Sequence, residues 1–188
     1  MASFSKEVSV SQAFELCNRI GRFAGSEARA ETVMRRLLGS DDAMLALIRV
    51  VTDEERAVDL DADPVCPEGW QVAEHRKGGR LEWSPDKARL FLAEGQRGEG
   101  VVGRDLRTAV AGENPFNANL LDWLLAHPEE IPDSWKGKAV FFWGTVYRDR
   151  DGNLCVRYLY WVGGRWYWDY YWLDDRWNAG NPALVPAS

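Results

Sequence analysis

The hydrophobic rhythm of the chain changes twice. Up to residue 56, apolar positions recur at helical spacing. Val10, Ala13, Phe14, Cys17, Ile20 and Ala24 form one stripe; Ala30, Val33, Met34, Leu37 and Leu38 form another. Ser9 with Gln12 reads as a capping box, Ser26 opens the second segment and Gly39 closes it. Ser40 precedes "DDAMLALIRVV", whose two acids suit the positive end of a helix dipole. Residues 1–56 are therefore predicted to form three or four short amphipathic helices. "AVDLDADPVCPEG", residues 57–69, loses the period, carries acids and prolines, and reads as a linker.

From residue 70 the signals mix. "WQVAEHR" and "RLEW" alternate around Lys77-Gly78-Gly79 and predict a hairpin. Ser84-Pro85 is a cap followed by proline at a first helical position; "DKARLFLAE" beyond it fits a short helix or a strand. Residues 104–110 fit one or two helical turns. "ANLLDWLLAH" predicts a helix with Leu120, Leu121, Leu124 and Leu125 on its stripe, stopped by Pro128. After Lys138 the period falls to two. "AVFFWGTVY", "LCVRYLYWV" and "RWYWDYYWL" are strand-like, separated by "RDRDGN" and by Gly163-Gly164, a two-residue turn of the primed type. The expected fold class is α+β: N-terminal short helices, a mixed middle region, and a C-terminal three- to four-stranded antiparallel aromatic meander. The organisation expected is a helical region over 1–56, an acidic linker over 57–69, and one region over 70–188 ending in the meander at 138–177, with a short fourth strand near Trp177.

Residues 158–172 are dominated by aromatic side chains, against 12% for the chain. If Gly163-Gly164 is the turn, Val162 pairs with Arg165, Tyr160 with Tyr167 and Tyr158 with Asp169. Successive strand side chains point to opposite sides. One face is then Leu159, Trp161, Trp166, Trp168 and Trp172. The other is Tyr158, Tyr160, Arg165, Tyr167, Asp169 and Tyr171. Arg and Asp resist unpaired burial, and each buried phenol needs a hydrogen-bond partner. The tryptophan face is therefore expected to pack on the helical part, and the tyrosine face to be the exposed, partner-binding one. The competing expectation is a sheet covered on both sides, its tyrosines lining a second core.

Composition narrows the chemistry. The chain has 188 residues, 46% hydrophobic and 28% charged, with a net charge of -6 concentrated in residues 57–132. No basic footprint suggests direct nucleic-acid binding. No window is apolar enough for a membrane span, and "MASFSKEVSVSQAF" lacks the pattern of a secretory leader, so a cytoplasmic location is expected. Cys17, Cys66 and Cys155 are odd in number and far apart, which fits reduced thiols.

Asp149, Asp151 and Asn153 alternate like the start of a calcium loop, but the glutamate that closes such a loop is missing; a hairpin turn is expected. The histidines are His75 and His127 alone, no CxxC or HExxH occurs, and no metal or cofactor is expected. Glu74 and His75 are the one pair that suggests acid–base work. No nucleophile elbow, Walker loop or GxGxxG is present, and "KGKAVFFWG" does not fit the aromatic strand of an RNA-recognition sheet.

"CPEGWQVAEHRKGGRLEW", "NANLLDWLLAHPEEIP" and "IPDSWKGKAVFFWGTVYRDRDGNLCVRYLYWVGGRWYWDYYWLDDRWNAGNPALV" together resemble a family of small uncharacterised bacterial proteins sharing a WKGKxVFFWGTxYRDxDGNLxVRYLYW pattern. The resemblance covers roughly residues 66–186. It implies one conjoined unit from Cys66 onward and transfers no catalytic residue. The leading functional expectation is a non-enzymatic protein-interaction module docking another protein through its aromatic sheet face, with an acidic inhibitor or regulator of a basic partner as one form of it. The alternatives are a small-ligand or carbohydrate-binding module and an unrecognised enzyme using Glu74 and His75.

Overall fold

A computed structural model of the chain describes residues 57–187. These belong to the second of two compact units, Ala57–Ser188; the helices expected in residues 1–56 lie outside the described residues.

The alternating C-terminal sequence builds the centre of a seven-stranded mixed sheet. Strand β8 (Leu154–Val162) pairs from Cys155 to Val162 with the whole of β9 (Arg165–Trp172). Its other edge is shared. The first residues of β8 pair with β7 (Thr145–Arg148), and Tyr158 and Leu159 pair with β6 (Val140–Phe141). β7 continues to β2 (Gln71–His75). β6 runs parallel to β11 (Ala183–Pro186), which pairs with β4 (Ala88–Phe91).

The division of that edge follows from Phe142, Trp143 and Gly144. The Phe142 N–H still donates to the Arg157 carbonyl at 3.1 Å, but the Gly144 N–H turns away to the Phe116 carbonyl at 2.9 Å. The Gly144 carbonyl accepts from the Arg76 N–H at 2.7 Å. A Cβ on residue 144 would lie 2.7 Å from the Pro115 carbonyl oxygen. Only glycine lets these backbones meet so closely, and "AVFFWGTVY" becomes two strands rather than one.

Both sheet faces are covered. On one, α2 (Ala118–Ala126) sets Leu120, Leu121 and Leu124 against Val140, Phe142, Leu159, Trp166 and Leu184. Val58 of β1 (Ala57–Asp59) and the ring of Trp83, next to β3 (Arg80–Glu82), extend this core. The Asn117 side chain caps α2 by accepting the Asn119 N–H, and the helix ends before Pro128. On the opposite face, Leu106 and Val110 of α1 (Gly103–Ala111) pack with Phe141, Trp143, Val146, Val156 and Val185. The ribbon of β5 (Val101–Val102) and β10 (Arg176–Trp177) adds Trp177, which is fully buried.

The α+β expectation is corrected. The described residues are mostly β, with two short helices and a curled mixed sheet that draws strands from both ends of the region. The meander β7–β8–β9 exists but is the middle of a larger sheet. The strand near Trp177 is β10, which pairs with β5 rather than joining the meander. "ARLFLAE" is strand β4 through Phe91, not helix. The hairpin expected across Lys77-Gly78-Gly79 does not close, because its strands pair elsewhere. The Leu60 N–H donates to the Gly79 carbonyl at 2.9 Å, and Asp61 Oδ1 accepts the Gly79 N–H at 2.8 Å. The stretch read as linker thus holds the diglycine bend and gives β3 its partner, β1.

Adding one methyl group at the Gly144 crossing forces backbone to move. Gly144→Ala is expected to destabilise the protein by about 1–3 kcal/mol, measured as a lower urea midpoint at unchanged slope; an unchanged midpoint would contradict the crossing.

Candidate functional site

The β8–β9 hairpin has the register that counting from its turn predicts: Val162 opposite Arg165, Tyr160 opposite Tyr167, Tyr158 opposite Asp169 and Leu159 opposite Trp168. Gly163 and Gly164 have φ of 59° and 86°, the left-handed pair that a type I′ turn requires.

The face toward α2 is graded. Leu159 and Trp166 are buried in the core and Trp161 is half-buried, with the Lys136 ammonium 4.3 Å from its ring centroid. Arg157 is buried and bidentate to Asp122 of α2, at 2.6 and 3.1 Å. Burial alone would lower the Arg157 pKa, but Asp122 outweighs it and holds the guanidinium above its ordinary value. The Trp168 ring lies 4.1 Å over this guanidinium. Trp168 and Trp172 are 39% and 38% exposed. They correct the expectation of a wholly buried tryptophan face: only Leu159 and Trp166 lie fully in the core built by α2, and the outer indoles cap polar groups instead. Trp172 Nε1 donates to Asp149 Oδ2 at 2.8 Å.

The opposite face divides the six residues that the sequence singled out. Tyr158 meets Phe141 in a tilted contact at 4.6 Å, and Tyr171 meets Phe141 and Trp177 at 6.5 and 5.3 Å. Both belong to the margin of the α1-side core. Burial, with Asp169, Tyr160 and Tyr171 nearby, pushes the Tyr158 phenol up to about 12. Tyr160 and Tyr167 stack with centroids 5.9 Å apart at the hairpin tip, and Arg165 covers the Tyr167 ring at 4.6 Å while bonding its hydroxyl. Asp169 is exposed and accepts the Tyr170 N–H at 2.8 Å. The structure thus brings Tyr160, Arg165 and Tyr167 together with Asp169 beside them, and assigns Tyr158 and Tyr171 to packing.

Backbone chemistry adds what residue type alone did not show. Among the described residues β9 pairs only with β8. In an antiparallel hairpin the paired residues alternate between inward- and outward-facing amides. The closing pair Val162–Arg165 sets Tyr167, Asp169 and Tyr171 inward, and Trp166, Trp168 and Tyr170 outward. Asp169 occupies the outward N–H of Tyr170, leaving those of Trp166 and Trp168 along the edge. A groove of about 400 Å³ adjoins the hairpin tip, lined by Leu125, Pro128, Lys136, Trp161 and Trp166 among others.

The remaining chemical groups are largely engaged. Asp149 Oδ1 accepts the N–H groups of Asp151 and Asn153 at 3.0 and 2.8 Å, forming the β7–β8 turn. Burial works to raise its pKa, but the Trp172 and Asn153 bonds hold it below the usual carboxylate value. His75 and Glu74 do line one cleft, with a volume of about 240 Å³. His75 Nδ1 lies 2.9 Å from Thr145 Oγ1 and Nε2 lies 3.2 Å from the Leu60 carbonyl. The Leu60 carbonyl can only accept, so the ring donates to it from Nε2, and Nδ1 then accepts the hydroxyl proton of Thr145, whose oxygen also accepts the Ala118 N–H at 3.0 Å. Both nitrogens are committed to structure, and Glu74 pairs with Arg107. His127 stacks on Trp123 and bonds its carbonyl at 2.8 Å. Cys155 is buried, its thiol pushed up to about 12 by burial and by Asp149. Among the described residues, no group of three or more His, Cys, Asp or Glu side chains could hold a metal ion, and no helix is long and apolar enough to cross a membrane.

No family model, curated protein or solved structure matches the chain.

Tyr147 is pushed up to about 12, chiefly by burial, like Tyr158. Ultraviolet titration of the six tyrosines is expected to show two phenols ionising near pH 12, against about 10 in denaturant. Both folded values lie above the unfolded one. Their stabilising contribution is therefore complete below about pH 10 and lost as pH rises towards about 12. Six phenols titrating together near pH 10 in the folded protein would contradict their burial.

Proposed function

We propose that this protein is a non-enzymatic interaction module that receives an extended segment of another protein along β9 and the adjoining hairpin tip. The observation carrying this reading is an eight-residue strand, Arg165–Trp172, with one neighbour among the described residues and aromatic side chains on both faces. Proteins usually blunt such an edge with several charges, proline or a bulge. Within Trp166–Trp172 the only charged residue is Asp169, and the β8–β9 register is unbroken. A strand added here would gain main-chain hydrogen bonds from Trp166 and Trp168. The stacked Tyr160–Tyr167 pair would grip its side chains from one side and Trp168 from the other. Stiff aromatic rings lose little rotamer entropy on binding, which is why such residues recur as binding hot spots. Asp169 and the net charge of -6 favour a basic segment, so that an acidic regulator of a basic partner is the form of the reading that charge supports.

The test replaces the free tip while sparing the packed base. Tyr160→Ala, Arg165→Ala and Tyr167→Ala together remove the tip cluster; Tyr158 and Tyr171 stay, because their loss would disturb the Phe141 core. With a partner identified by capture on the full chain, the triple variant is expected to bind at least about tenfold more weakly, at unchanged far-ultraviolet circular dichroism. Binding within twofold of the parent would refute the site.

A further inference from the structure

We infer that the cleft between the end of β2 and α1 is a binding site for a small organic carboxylate, seated on Arg107 and Arg76. It is separate from the hairpin and independent of the interaction reading. The cleft is bounded by Glu74, Arg76, Arg107, Val110, Pro115 and Trp143, with a volume of about 240 Å³. That lies just below the range of about 300–1,000 Å³ typical of small-molecule sites, which limits the ligand to a compact body.

Two guanidinium groups line this cleft in a chain that is acidic as a whole. Arg76 is oriented by Asn114 Oδ1 and by the Ala111 carbonyl, the latter at 3.4 Å, and its own N–H anchors it to Gly144. Arg107 projects from α1 and carries the Glu74 carboxylate. The side chains therefore sum to one net positive charge, matching a monoanion. Val110, Ala111, Pro115, Val146 and Trp143 supply an apolar wall for the body of such a ligand. Trp143 is 5% exposed, and its indole N–H is buried without a hydrogen-bond partner.

Glu74 shows what the site accepts, because it is itself a carboxylate resting on Arg107. The Arg107 and Glu74 side chains are 33% and 55% exposed, so their ion pair is weak and an incoming carboxylate can replace it. Glu74 is thus a placeholder that competes with the ligand. Planar guanidinium groups favour carboxylates bidentately, and the apolar wall disfavours a bare inorganic anion. His75 takes no part, since both ring nitrogens are bonded elsewhere.

The experiment uses the full chain and three probes: benzoate, its neutral analogue benzamide, and inorganic phosphate, followed by calorimetry and ligand-observed saturation-transfer NMR. Benzoate is expected to saturate in the millimolar range, with benzamide and phosphate at least about tenfold weaker. The two variants act in opposite directions. Glu74→Gln removes the competitor and is expected to tighten benzoate binding by about threefold to tenfold, whereas Arg107→Gln weakens it by at least about tenfold. Failure of benzoate to saturate on the Glu74→Gln variant, equal binding of benzamide, tighter binding of phosphate, or an Arg107→Gln variant that binds like its parent would each overturn the site. Should Arg107→Gln misfold, the gain on Glu74→Gln decides alone.

Discussion

Strand β8 must satisfy hydrogen bonds on both edges, and the rest of the described fold is arranged around how it does so. One edge is filled by β9 through a two-residue turn, the shortest connection available. The other is filled by a segment that breaks at Phe142–Gly144, so that β7 serves its beginning and β6 its middle. The break sends β7 toward β2 and β6 toward β11, which is why strands from both ends of the region meet in one sheet. It also presses the backbone of Gly144 against Pro115 and Asn117, setting the start of α2 and one wall of the Glu74–Arg107 cleft. A single constraint on chain direction thus positions α2 and one wall of the cleft.

The electrostatics follow from the same strand. Arg157 points from β8 into the α2 side, where an unpaired guanidinium would be costly. Asp122 meets it in a bidentate pair, and Trp168 lies over it. The pair fixes α2 against β8 at one point along the sheet, and Leu120, Leu121 and Leu124 supply the apolar contact on either side. Trp168 is therefore held flat by a cation beneath it while one side of its ring stays accessible. A similar arrangement at Trp172, with Asp149 holding the indole N–H, yields aromatic surface that is exposed and yet fixed. Fixed aromatic surface costs less entropy to bury against a partner than mobile surface does.

What was legible in the sequence was local. The diglycine turn set the β8–β9 register, because a two-residue loop leaves no freedom in counting. The leucine stripe and Pro128 gave α2. Pairings between distant segments left no such mark. β11 is four residues, and its parallel alignment with β6 has no turn to announce it. The diglycine at 78–79 signalled a bend correctly, yet Leu60 and Asp61 claim that bend, so β3 goes to β1. Alternation assigned the faces of β9 correctly but not their burial. Burial depends on how far α2 and the α1 side extend over the sheet: Trp168 lies beyond one cover, while Tyr158 and Tyr171 fall within the other. That β9 has one neighbour among the described residues was likewise invisible to pattern, since a strand's sequence does not tell how many neighbours it has.

Hydrogen exchange along β9 in the full chain tests the central claim most directly, because it reads the two edges of one strand separately. The account predicts alternation: the inward amides of Tyr167, Asp169 and Tyr171 exchange slowly, while the outward amides of Trp166 and Trp168 exchange at least about a hundredfold faster. Uniformly slow exchange from Trp166 to Tyr171 would mean that the edge is already occupied within the protein, and would contradict its role as a place for a partner strand.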